Sequence, residues 1–176
     1  MESTSKTIQP GDFILLDLWC KQTKPGAVYA DITRVGVAAA QPTPKQLEIF
    51  KIVKSAQQAA TNFIKEHYEK GENIQGWQVD QVARDVITAA GYGDYFIHRT
   101  GHNICEEVHG PGANLDNLET HDYRDLLAGT CCSIEPGIYL TNQFGVRLEY
   151  DIYLDKLGKC LVTGGIQNDI VCLQVT

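Results

Sequence analysis

Residues 12–37 read DFILLDLWCKQTKPGAVYADITRVGV, and residues 132–154 read CSIEPGIYLTNQFGVRLEYDIYL. In the first stretch, residues 12–19 form an apolar, β-prone run broken by one acid, Asp17. Residues 22–26 bring Lys, Thr, Pro and Gly together and read as a loop. Residues 28–37 read as a second strand carrying Asp31, so the stretch is expected to form a hairpin with a long connection. Asp17 and Asp31 should then face each other across neighbouring strands. The second stretch repeats the pattern: Glu135 and Glu149 are fourteen residues apart, as are Asp17 and Asp31. Between the pairs lies His102, in HRTGHNICEEVHG at residues 98–110. Burying a carboxylate without a partner is costly, so four of them on strand-like segments need a shared positive charge. Two divalent metal ions would supply it.

The sequence between these stretches is helical in pattern. Thr43-Pro44 offers an N-cap and a proline at the first helical position. Leu47, Phe50, Val53, Ala56, Ala60, Phe63, Ile64 and His67 follow at helical spacing, and Gly71 is a stop. A second helix is expected over residues 77–90, with Val79, Val82, Ala83, Val86, Ile87 and Ala90 as its packed stripe. Residues 110–125, GPGANLDNLETHDYRD, read as a polar surface loop. Strands are expected over 131–134, 146–154 and 170–175. The order of strands, two helices and strands again predicts an α+β domain, with the helices on one face of a mostly antiparallel sheet.

Composition narrows the function. A chain of 176 residues is long enough for one domain with a core. Its net charge of −7 argues against a nucleic-acid or anionic-membrane partner, since both need a basic face. No apolar run approaches the ~20 residues that span a bilayer. Residues 1–10, MESTSKTIQP, read as a polar tail without an export signal, so a cytoplasmic protein is expected, with residues 11–176 forming the catalytic domain. The six cysteines form no CxxC pair and are expected to be reduced thiols, most of them in the core.

Oxygen and imidazole ligands without thiolates suit Mn²⁺, Co²⁺, Fe²⁺ or Zn²⁺. Four carboxylates and one imidazole exceed a closed tetrahedral zinc site and fit two ions. Such a pair polarises a substrate carbonyl and lowers the pKa of a water. His98 and His109 flank His102 within a Gly-containing segment and are placed to line the same cleft, where they donate hydrogen bonds to a substrate carbonyl. His102 follows Gly101 in a tight turn, where a ligand can approach the backbone closely. Arg147 shares a strand face with Glu149 and either binds a substrate carboxylate or forms an ion pair with Glu149 or Asp151.

The motifs YADITR, HRTGHNICEEVHG, SIEPGIY and GVRLEY occur in the order found in the pita-bread metallopeptidases, and the chain resembles that family over residues 11–165. The family includes methionine aminopeptidase, prolidase and aminopeptidase P. By position, the resemblance makes Asp17, Asp31, His102, Glu135 and Glu149 the ligands of two metal ions, with Asp31 and Glu149 bridging them. Manganese is the first expectation, with cobalt, zinc and iron as alternatives. His109 matches the histidine that contacts substrate, and His98 and Arg147 match residues of the proline-specific branch. EPGIY and GVRLE resemble prolidase and aminopeptidase P more than methionine aminopeptidase. The implied reaction is hydrolysis of an Xaa-Pro bond at a free amino terminus, on a peptide with proline second, with Glu135 shuttling the proton. A methionine aminopeptidase, or a pseudo-peptidase acting as a binding module, is the alternative. The loop KQTKPGAV is longer than the family's usual one, and Trp19 stands where a glycine is common. The resemblance also implies a longer parent protein. Strands absent from this chain would leave a sheet edge that invites pairing, so a homodimer is expected.

Overall fold

A computed structural model describes residues 6–174; half of the expected polar tail, residues 1–5, and the last residue of the strand expected over 170–175 lie outside the described residues. The first two strands, β1 (Phe13–Cys20) and β2 (Ala30–Val37), form the expected antiparallel hairpin. Its register pairs Asp17 with Thr33 and Trp19 with Asp31. Asp17 and Asp31 therefore share a face but sit diagonally, because the long connection sets the pairing two residues away from direct opposition. β2 is buried along most of its length, whereas β1 forms the outer edge with Leu16 and Leu18 exposed.

Helix α1 (Pro44–Glu69) begins as its sequence dictates. The Thr43 hydroxyl accepts the Gln46 amide, and the Gln46 side chain accepts the Thr43 amide at 2.8 Å, a reciprocal cap. Ile49, Phe50, Val53, Ala56, Ala60 and Ile64 form its buried stripe and, with Val79, Ala83 and Ile87 of α2 (Gly76–Ala89), much of the core. The remaining strands are β3 (Asn103–Ile104), β4 (Cys131–Ile134), β5 (Gly137–Leu140), β6 (Phe144–Arg147), β7 (Tyr150–Leu154), β8 (Cys160–Thr163) and β9 (Val171–Cys172).

Among the described residues the strands form three sheets rather than one: β1-β2-β9, β3-β4-β7-β8 and the hairpin β5-β6. The single strand expected over 146–154 breaks at Leu148 and Glu149. Side chains satisfy the backbone there instead of a strand. The buried Gln57 amide donates to the carbonyls of Ile134 (2.9 Å) and Leu148 (3.0 Å), and Arg34 donates to that of Glu149 (2.8 Å). Residues 110–125 are irregular as expected, yet they are anchored: Asp116 and Asp122 are buried, and the Asp116 carboxylate accepts the amides of Leu118, Glu119 and Thr120. All six cysteines are free thiols. Only Cys132 and Cys160 are buried, while Cys20 and Cys172 are exposed on terminal strand positions, so the expectation of mostly core thiols is corrected. Among the described residues no helix is long and apolar enough to cross a membrane.

Candidate metal centre

The break between β6 and β7 brings Glu149 beneath β2. Thr33, two residues after Asp31 on the same face, donates its hydroxyl to Glu149 Oε2 at 2.5 Å. His102 enters from the segment before β3. Its approach depends on Gly101, where an added Cβ would lie 2.0 Å from the Ser133 carbonyl oxygen. The close approach at this turn is therefore made by strand β4, not by a ligand. His102 Nδ1 lies 3.2 Å from the Asn103 carbonyl, which can only accept, so Nδ1 carries hydrogen. Nε2 then faces Asp31 Oδ2 at 3.5 Å and Glu135 Oε1 at 3.4 Å. Ser133 holds both partners: its hydroxyl accepts the His102 amide at 3.0 Å and donates to Glu135 at 2.9 Å.

Asp31, His102 and Glu149 each offer a ligand atom within 4.8 Å of one another, and all three are buried. They lie in a cleft of about 470 Å³ that also includes Asp17, Glu135, Arg147, His98 and His109. Every residue singled out for chemistry thus reaches one cavity, but not as one cluster. Asp17, exposed on the edge strand, forms an ion pair with Arg147 instead of joining the trio. Arg147 also donates to Thr33 at 3.1 Å and lies 3.8 Å from Glu135, so its partners are not Glu149 or Asp151 as the sequence suggested. His98 donates through Nδ1 to the Arg99 carbonyl (2.7 Å), which leaves Nε2 to accept from Tyr139 (2.8 Å). The His109 ring packs edge-on against that of His102, with centroids 4.4 Å apart.

The electrostatics call for a cation. Burial, then repulsion from Glu135, pushes Glu149 up to about 9. Burial raises Glu135 as well, against the pull of His102 and Arg147. Burial disfavours charge on His102, yet Asp31 and Glu135 outweigh it and raise its pKa. The buried oxygen Asp31 Oδ1 has no hydrogen-bond partner among the described residues. Hard oxygen donors and an imidazole with its Nε2 turned inward fit divalent ions of the Mn, Co, Fe or Zn type.

Residues 1–156 match the model of metallopeptidase family M24. The chain belongs to that family. The pita-bread α+β fold expected from the motifs is the fold observed, and the likeness is to the Xaa-Pro branch. The Xaa-Pro dipeptidase of Lactobacillus helveticus is 40% identical over 83% of this chain and 36% of its own length. The dipeptidase PepE from Mycobacterium ulcerans has a similar structure, with a TM-score of 0.82, 29% identity, and coverage of 97% of this chain and 42% of the other. A dipeptidase from Pyrococcus horikoshii gives a TM-score of 0.78 and 34% identity, covering 98% and 44%. The chain spans less than half the length of the curated relatives it matches.

Two residues around this site, Thr33 and Tyr139, were not read from the sequence, and Asp151 was read only as a possible ion-pair partner of Arg147. Thr33 and Asp151 stand two residues after Asp31 and Glu149, so alternation along the strands expected from the sequence puts each on the face of a candidate ligand. Tyr139 sits within the EPGIY motif. The signal for each was present, but it marks a face and not a contact.

Proposed function

We propose that this chain carries the metal-binding machinery of an Xaa-Pro metallo-exopeptidase. The observation that supports this best is the buried trio Asp31, His102 and Glu149 at the floor of a cleft, in a chain whose relatives include Xaa-Pro dipeptidases. Asp17, Asp31, His102, Glu135 and Glu149 would hold two divalent ions, manganese first. Bound there, the ions supply Lewis acidity, polarising the scissile carbonyl and easing loss of a proton from water.

The protein's own groups do the rest. Glu135, with its carboxyl pKa raised, takes a proton from the attacking water and delivers it to the proline nitrogen as the peptide bond breaks. His109, whose pKa is lowered by partial desolvation and by the neighbouring His102, donates to the carbonyl oxygen. His98 acts through Tyr139, holding that hydroxyl beside Arg147. Arg147 offers its guanidinium to the substrate's carboxyl end. Substrates are peptides with proline second. A second copy is proposed to cover the β1 edge, and the compartment is proposed to be the cytoplasm.

Glu135→Ala, assayed with Mn²⁺ on Xaa-Pro dipeptides, should lower kcat by about 10²–10⁴-fold, the usual worth of a general acid–base group. Wild-type turnover in this variant would sink the mechanism.

A further inference from the structure

Asp151 lies on β7, two residues after Glu149, and is 4% exposed. Its Oδ2 accepts the backbone amide of Asp31 at 2.9 Å. Its Oδ1 is buried and, among the described residues, has no hydrogen-bond partner. The ladder places Ser133 on one side and Thr163 on the other, but neither hydroxyl serves this carboxylate. Ser133 is taken by Glu135 and His102, and Thr163 bonds the Asp151 carbonyl at 3.3 Å.

A buried carboxylate held by one amide is a poor device for stability, because an apolar side chain of similar volume avoids the desolvation cost. The bond's location gives it another use. Asp31 belongs to the three-stranded sheet and Asp151 to the four-stranded one, and no ladder hydrogen bonds join β2 to β7. Thr33–Glu149 and Arg34–Glu149 also cross this seam, but the Asp151 bond is the one that grips the backbone of Asp31 itself.

We propose that Asp151 is a positioning residue for the metal centre, clamping Asp31 across the seam so that its carboxylate faces His102 and Glu149. This rests on the reading of that trio as metal ligands given above. Asp151 touches neither substrate nor reacting atoms; it acts through Asp31.

The test is metal binding by the intact chain, titrated with Co²⁺ followed by its visible absorption and with Mn²⁺ followed by calorimetry. Asp151→Ala should weaken affinity by about 10–100-fold, the range for residues that orient a ligand, and should alter the Co²⁺ spectrum. Asp151→Asn keeps an acceptor for the Asp31 amide and should restore the spectrum and most of the affinity. Asp151→Leu keeps the volume without the acceptor and should behave as Asp151→Ala does, which preserves the test if the alanine variant does not fold. Wild-type affinity and spectrum in the folded Leu or Ala variant would overturn the clamp, as would an Asn variant no better than Ala. A purely structural residue would lower the melting temperature of the metal-free chain and leave affinity and spectrum unchanged. His102→Ala separates the two claims. If it binds Co²⁺ as wild type does, the ligand assignment itself fails and the clamp falls with it. If it loses the metal while the Asp151 variants keep it, only the clamp fails.

Discussion

The two acids of the first hairpin lie a few residues apart across one ladder and live in different worlds. Asp31 is on β2, buried, with its backbone held by Asp151 and its carboxylate beside His102. Asp17 is on the edge strand β1, exposed, and paired with Arg147. Covered strands hold a carboxylate where desolvation makes it demand a cation. An edge strand leaves its carboxylate in water, where a nearby arginine satisfies it at little net gain. The proposed centre thus combines one strongly determined half and one adaptable half.

The largest expected effect comes from breaking the determined half. His102→Ala should reduce Mn²⁺ affinity by more than about 100-fold, beyond the cost of losing a residue that merely orients a ligand. Calorimetric titration checks it. Loss of the whole metal response is the strong form of this outcome; a change confined to a few-fold would mean the trio is not the dominant site.

The next effect is in pH. Without metal, Glu149 is pushed up to about 9 by burial and by Glu135, and Asp151 up to about 7 chiefly by burial. Glu135 and His102 are raised too. Each of these groups binds its proton more tightly in the folded chain than in the unfolded one. Their contribution to stability is therefore complete below the ordinary carboxylate range and is lost as pH rises towards about 9. His98 and His109, both lowered by burial, act in the opposite sense only at and below their ordinary pKa of 6.5. Thermal melts in chelator should thus show the melting temperature falling from pH 7 to pH 9, at about 2–4 °C per kcal/mol for a chain of this size. Mn²⁺ should reverse the fall, and Glu149→Gln should flatten it. A melting temperature that stays level over that range in the chelated wild type would contradict the crowded-carboxylate account.

The smallest effect should come from the adaptable half. Arg147→Gln releases Asp17 from a half-exposed ion pair worth about 1 kcal/mol at most, so Mn²⁺ affinity should rise by no more than about fivefold. KM for Xaa-Pro dipeptides should rise in the same variant as the guanidinium is lost. A fall in metal affinity would instead show that Arg147 supports the ligands.

Much of this was legible in the residues. The N-cap at Thr43, the apolar spacing through Ile64 and the loop at 22–26 encode α1 and the first hairpin locally, through capping, periodicity and turn chemistry. The break at Glu149 was not legible. Residues 146–154 have strand character throughout, and only Gln57 and Arg34, distant in sequence, draw the carbonyls of Leu148 and Glu149 out of the ladder. Nor could spacing foresee that Asp17 would meet Arg147, because that contact is made between an edge strand and a separate hairpin.

The sequence by itself determined the element order, the α+β class and the identity of the acids and histidines that share the cleft, because patterning and motif chemistry are local. Only the tertiary structure decided the two-residue offset in the first hairpin, the seam between the two sheets and the partners of each carboxylate. Those follow from which strands are covered and which buried donors reach across, and burial is a property of the assembled chain.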